Sequence, residues 1–160
     1  MPLASISGVV EGHTRWALAL LFLLLVLESF GLPLPGEAAL IACAGLASEG
    51  AFSVVSVIAV AAAAAITGDN LGYLLARKGG RRALQHFGFT RRYADRYLPR
   101  SERFFAAHGG PAVFAARFVA FLRVTAAWTA GLSRMGWRRF FAWNAAGGLA
   151  WATTVGLLAY

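Results

Sequence analysis

The chain has 160 residues, of which 59% are hydrophobic and only 14% charged, and its mean hydropathy of +0.62 is too high for a water-soluble globular domain. At about 20 apolar residues per crossing there is room for a few membrane spans and no separate soluble domain, so residues 1–160 read as one all-α membrane domain. The formal charge of +8 would point to nucleic acid in a soluble protein, but nine of the fifteen cations fall in 77–103 beside apolar runs, a membrane-topology pattern that excludes nucleic acid as the partner.

The first apolar run, WALALLFLLLVLESF (16–30), predicts a helix. Glu11 precedes it and no clean small-x-small site comes before Glu28, so the run is expected to be retained rather than cleaved as a signal peptide. Next, GLPLPGEAALIACAGLA (31–47) is too short to cross. Pro33, Pro35 and Gly36 interrupt it, removing backbone donors and permitting a sharp bend, which predicts a re-entrant segment hinged at those three residues. Cys43 is the only cysteine, forms no intramolecular disulfide and reads as a small packing residue.

Residues 51–76 predict a second spanning helix, whose alanines at 61–65 suit close helix packing. The arginine-rich stretch 77–110 reads as a cytoplasmic basic loop, with Pro99 and Gly109 bracketing a short interfacial helix over 99–108. His13, His86 and His108 lack a second ligand at metal-binding spacing, so neither a metal nor another cofactor is expected. Segment 111–133 is apolar apart from Arg117 and Arg123, and 137–160 is the last apolar helix.

Charge bias orders these pieces. A crossing at 111–133 would put Arg134, Arg138 and Arg139 across the membrane from the 77–103 cluster, whereas a segment that dips in and returns keeps twelve of the fifteen cations on one side. Segment 111–133 is therefore expected to be re-entrant from the cytoplasm and 31–47 from outside. The two halves then share one plan in opposite orientations, the inverted-repeat logic of secondary transporters, although the second half lacks a full leading span.

Charges at membrane depth are costly and usually pair or line a wet pathway. Glu28 and Glu37 are nine residues apart, roughly 180° on an unbroken helix, and Arg117 and Arg123 are six apart, roughly 240°, so each pair needs its bend to converge. Two carboxylates and two guanidinium groups would then sum to zero. Guanidinium presents a planar fork that matches phosphate, and burial and nearby arginines tune the proton affinity of such carboxylates. The expectation is a proton-coupled carrier of a lipid phosphate, with Arg117 and Arg123 on the phosphate and Glu28 and Glu37 on the protons. A structural ion-pair cluster is the plainer alternative.

The ordered motifs ESFGLPLPGE (28–37), GDNLGYLLARKGG (68–80), FFAAHGGPAVFAARFVAFLR (104–123), AGLSRM (130–135) and FFAWNAAGGLAW (140–151) resemble the signature of the DedA family, also called the SNARE-associated or VTT-domain superfamily. The resemblance implies a multi-pass protein of the bacterial cytoplasmic (inner) membrane, with two opposed re-entrant segments, that translocates a polyprenyl phosphate such as undecaprenyl phosphate under proton motive force. It also implies that the family's essential acids fall on Glu28 and Glu37 and its essential arginines on Arg117 and Arg123. The pattern departs at Ala120 and Ala127, where the family usually has prolines, and relatives commonly run on beyond a position equivalent to Tyr160.

Asp69 is a weaker third candidate for proton coupling. It lies seven residues before Arg77, for which an interfacial salt bridge or a helix cap is the preferred role. Asn144 is expected to bond between helices, and tryptophans near Trp137 to anchor at the interface. No Gly-x-Ser-x-Gly or His-Glu-x-x-His motif occurs, so enzyme chemistry is not expected. A proton-coupled small-cation antiporter, a passive phospholipid scramblase and a purely structural role stay open, as does homo-oligomerisation.

Overall fold

The computed structural model describes the backbone of residues 3–51, 53–86, 103 and 107–160, and the regular structure there is entirely helical. In chain order the described helices are α1 (Leu3–Phe30), α2 (Gly36–Ser48), α3 (Val54–His86), α4 (Gly110–Ala116), α5 (Ala120–Leu132) and α6 (Trp137–Ala159). Most of the basic loop 77–110 and of the expected interfacial helix 99–108 lies outside the described residues.

Helix α1 stops at Gly31, which takes φ 123° while its N–H donates to Glu28 O (3.0 Å) and that of Leu32 to Leu27 O (3.0 Å). This pair of bonds satisfies carbonyls that the helix end would otherwise leave bare, and its positive φ favours glycine. The turn therefore begins before the prolines, whose part is to delay the next helix until Gly36. Helix α2, 13 residues long, rises about 20 Å, short of the roughly 30 Å of a bilayer core. Gly50 closes it in the same way, at φ 85°.

Segment 111–133 breaks as well, without proline. The amides just after α4 tighten onto carbonyls three residues back, Arg117 to Phe114 (3.2 Å), Phe118 to Ala115 (3.2 Å) and Val119 to Ala116 (3.1 Å). Val119 then becomes extended at φ −118°, ψ 111°, a conformation that suits a β-branched residue, before α5 begins. Ala120 thus opens a helix and Ala127 lies buried inside it. With 7 and 13 residues, α4 and α5 rise about 10 and 20 Å, and neither spans a bilayer alone.

Helix α5 ends in the motif that closes α1, with Arg134 (φ 55°) where glycine would be unstrained and Met135 N–H donating to Ala130 O at 3.1 Å. A side chain in this left-handed region costs about 1–2 kcal/mol. Arg134 is exposed, so Arg134→Gly is expected to raise stability by about 1 kcal/mol, read as a higher midpoint of thermal unfolding in detergent.

Helix α3 is the centre of the bundle, packing on α1, α2, α5 and α6. Its stretch Val54–Gly79 is, among the described residues, the one long and apolar enough to cross a membrane by itself, with a mean hydropathy of 1.8. Ala61, Ala62, Ala64 and Ala65 are buried, as close packing requires. They join Leu21 and Leu25 of α1, Leu40 of α2 and Trp151 of α6 in one apolar core. Further along α3, Tyr73 joins Val113, Leu122 and Phe140 in a second. Asp69 lies between these two cores, and the charged site is built there.

Two glycines set how closely the helices meet. A Cβ on Gly68 would stand 2.4 Å from Val26 O of α1, and one on Gly131 would stand 2.4 Å from Tyr73 O of α3. Trp128 is buried and donates its indole N–H to Phe30 O at 2.9 Å, fastening α5 to the end of α1. Trp137 is half exposed and donates to Asn70 Oδ1 at 3.1 Å.

Candidate functional site

Glu28 occupies the last turn of α1 and Glu37 the first turn of α2, and the turn between these helices folds both onto one guanidinium. Arg123 of α5 donates through Nη2 to Glu28 Oε1 and through Nη1 to Glu37 Oε2, each at 2.9 Å. The two glutamates thus converge as the bend requires, on an arginine 86 and 95 residues further along the chain.

Gly36 has a different part from the expected hinge. It is helical and buried, and a Cβ there would stand 2.3 Å from Glu28 Oε2. Gly36→Ala is therefore expected to push the Glu28 carboxylate off Arg123 while leaving α2 formed. Infrared bands of the ionised carboxylates, compared with those of Glu28→Gln, would register that loss, and unchanged bands would refute it.

Arg117 goes elsewhere. Its Nη1 lies 2.8 Å from Asp69 Oδ2, with both side chains buried. Because α3 runs on to His86, Asp69 is a mid-helix residue, neither a cap nor a surface partner of Arg77. Arg77 instead donates to Tyr73 Oη and, at 2.6 Å, to the carbonyl of Met135, the same carbonyl that the Tyr73 hydroxyl bonds. The expected cluster of two acids and two arginines is thus three ion pairs, two on Arg123 and one between Arg117 and a third acid. Fully ionised, three carboxylates against two guanidinium groups leave a formal charge of −1.

The two arginines share one support. Arg117 Cζ lies 5.9 Å and Arg123 Cζ 5.6 Å from the ring centroid of buried Trp151, within reach of cation–π attraction. Gly148 on the same helix leaves room for Arg117, since a Cβ there would come within 3.4 Å of Nη2. Asn144 is buried and reaches Ile66 O of α3 at 3.4 Å, the interhelical bond expected of it.

The site opens on one side into a vestibule of about 240 Å³ lined by Glu37, Arg117, Phe118, Arg123, Trp151 and Val155. Glu37 is the accessible member, with 44% of its side chain exposed against 13% for Glu28. Behind the arginines lies a small chamber of about 10 Å³, lined by Asp69, both arginines and Asn144 among others.

Comparison with known proteins shows the family. The family model described as the VTT domain matches residues 34–160. The chain belongs to the DedA family. It is 33% identical to Protein DedA of Escherichia coli over 91% of the chain and 68% of that protein. An uncharacterized membrane protein of Synechocystis is 33% identical over 98% of the chain and 72% of that protein. Another, of Mycobacterium tuberculosis, is 37% identical over 84% of the chain, which spans 63% of that relative's length. No solved structure matches the chain.

This DedA-family chain is accordingly an all-α membrane protein. Glu37, Asp69, Arg117 and Arg123 fall inside the matched region, and Glu28 lies before it. Of the four charges that sequence reasoning singled out, Glu28, Glu37 and Arg123 meet directly and Arg117 pairs instead with Asp69, which that reasoning ranked below its structural place, giving Trp151 and Gly31 no part. A charge halfway along a helix long and apolar enough to span was the available signal for Asp69. Gly31, directly after an apolar run and two residues before a proline, was a readable helix stop.

Proposed function

We propose that the protein carries a lipid phosphate of the undecaprenyl phosphate type across the bacterial cytoplasmic (inner) membrane, as a multi-pass protein, with proton movement coupled to the lipid. In this reading α2 with its turn and the α4–α5 pair are two re-entrant segments entering from opposite sides. They meet against α3 and deliver their charges near mid-membrane, as in inverted-repeat carriers. Enzyme chemistry has no part in it.

The observation that carries the reading is the pairing of Arg123 with a half-exposed Glu37 on the vestibule wall. A phosphate entering there can replace the Glu37 carboxylate on Arg123 with equivalent charge-assisted bonds. The displaced carboxylate would leave the low-dielectric site with excess negative charge, and taking up a proton relieves it. Phosphate binding and protonation are thereby linked. A cation antiporter fits less well, because the Arg123 guanidinium already occupies one oxygen of each glutamate that would hold the cation.

The test is flipping of undecaprenyl phosphate in liposomes holding the purified protein, with and without a pH gradient. Gradient-dependent flipping by the wild type is expected, and its loss in both Arg117→Ala and Glu37→Gln. A folded wild type that moves no lipid phosphate, or an Arg117→Ala protein as active as wild type, would refute the carrier. Flipping indifferent to the gradient would make the protein a passive scramblase.

A further inference from the structure

We propose that Asp69 is the proton-loading group, served by a single buried water in the chamber behind the arginines and distinct from the Glu28–Glu37 pair that exchanges with the lipid phosphate. This rests on the carrier reading and divides its labour between two acid sites, Asp69 on Arg117 and the glutamates on Arg123.

Several observations converge on the chamber. Its volume of about 10 Å³ suits one water molecule. Asp69 and Arg117 line it, each only 5% exposed. One carboxylate oxygen of Asp69 is held by Arg117 Nη1, but Oδ1 is buried without a protein partner, and so are Nε and Nη2 of Arg117. A carboxylate has roughly four acceptor positions, and an oxygen left bare at this depth is costly. A water between Oδ1 and the Arg117 donors satisfies both sides and is itself a proton donor and acceptor.

The surroundings select a proton over a metal cation. Arg117 from the turn after α4 and Arg123 from α5 bring two fixed positive charges to Asp69. Helix α6 offers Asn144, which does not titrate, and α4 offers apolar Val113. On α3 itself the nearest titratable neighbour is Tyr73, one turn on, whose hydroxyl is engaged by Met135 O. Glu28 and Glu37 meet Arg123 but do not line the chamber. One carboxylate facing two guanidinium groups is a poor cage for a sodium ion, which needs several oxygens. A proton needs one.

The consequence is a switch at Arg117, which lines both the chamber and the vestibule. A hydronium ion delivers its proton to Asp69 Oδ1 and remains as water. The neutral acid releases its hold on Arg117, and the freed positive charge becomes available to a phosphate on the vestibule side. Loss of the phosphate and return of the proton to water restore the ion pair, so charge and protons balance over the cycle.

Two measurements test the assignment on the full chain. With the membrane potential clamped at zero, coupling of one proton per lipid gives an undecaprenyl phosphate accumulation ratio of about tenfold per pH unit. In Asp69→Asn the ratio is expected to fall to one while flipping down a lipid gradient persists. Asn144→Leu, which keeps the Asp69–Arg117 pair but fills the chamber, is expected to do the same. An accumulation ratio retained in Asp69→Asn, or one that follows a sodium gradient in the wild type, would overturn the proposal.

Infrared spectroscopy supplies a reading independent of transport. A protonated-carboxyl band that grows on acidification, shifts in heavy water and is missing from Asp69→Asn is expected. The same band surviving in Asp69→Asn would overturn the assignment even for a protein that moved no lipid phosphate. A wild type without flipping but with this band would refute the carrier alone.

Discussion

Replacing Arg123 by alanine is expected to abolish lipid-phosphate flipping and to lower stability by about 3 kcal/mol. The guanidinium joins α5 to α1 and α2 at once, through two bonds of 2.9 Å. Its removal leaves Glu28, 13% exposed, as an uncompensated charge beside apolar helices. Breaking a buried pair costs about 3–5 kcal/mol, and the low end applies because Glu37 can turn to solvent. Adding Glu28→Gln to Arg123→Ala removes that stranded charge, so much of the stability should return while flipping does not. Arg123→Lys should fall between, because a single ammonium on a flexible stem does not reproduce the planar fork that holds both carboxylates. Thermal unfolding in detergent and flipping in liposomes read the two effects separately. An Arg123→Ala protein that flips lipid like the wild type would eliminate this site as the carrier.

Gly68→Ala has the second-largest expected effect, with a sign opposite to helix propensity. In an exposed helix interior, alanine in place of glycine gains about 1 kcal/mol. At Gly68 the new methyl would stand 2.4 Å from Val26 O and 2.7 Å from Ser29 Cβ, and a backbone carbonyl cannot swing aside. Helix α1 must shift, at the roughly 1–3 kcal/mol typical of overpacking. Because Glu28 lies between those two contacts, the shift should also pull its carboxylate from Arg123 and slow flipping. Gly45→Ala in α2 is the matched control. Its Cβ would meet nothing nearer than Ala159 O at 3.9 Å, so it should be neutral or stabilising. If the two variants unfold at the same temperature, the α1–α3 contact is looser than described.

Composition, charge order and breakers made much of this protein readable beforehand. An apolar chain with few charges had to be a membrane protein. Its acids and arginines at membrane depth had to find partners, because isolated charges there are too costly to keep. That reasoning reached Glu28, Glu37, Arg117 and Arg123, and it anticipated the buried alanines of α3 from their small size. The short, proline-interrupted segment after α1 could not cross, since 13 helical residues do not reach across a bilayer.

Only the tertiary structure decided who pairs with whom. Arg123 takes both glutamates and Arg117 takes Asp69, a choice set by how α3 meets α5 at Gly131 and α1 at Gly68, positions with no local signal of their contacts. The break at 117–119 has neither proline nor glycine, and it lies between two arginines that both reach the ring of Trp151. Periodicity and propensity describe a helix from within, whereas these features depend on distances between helices. A sequence read one segment at a time shows which charges must be neutralised, and packing selects the partner that neutralises each.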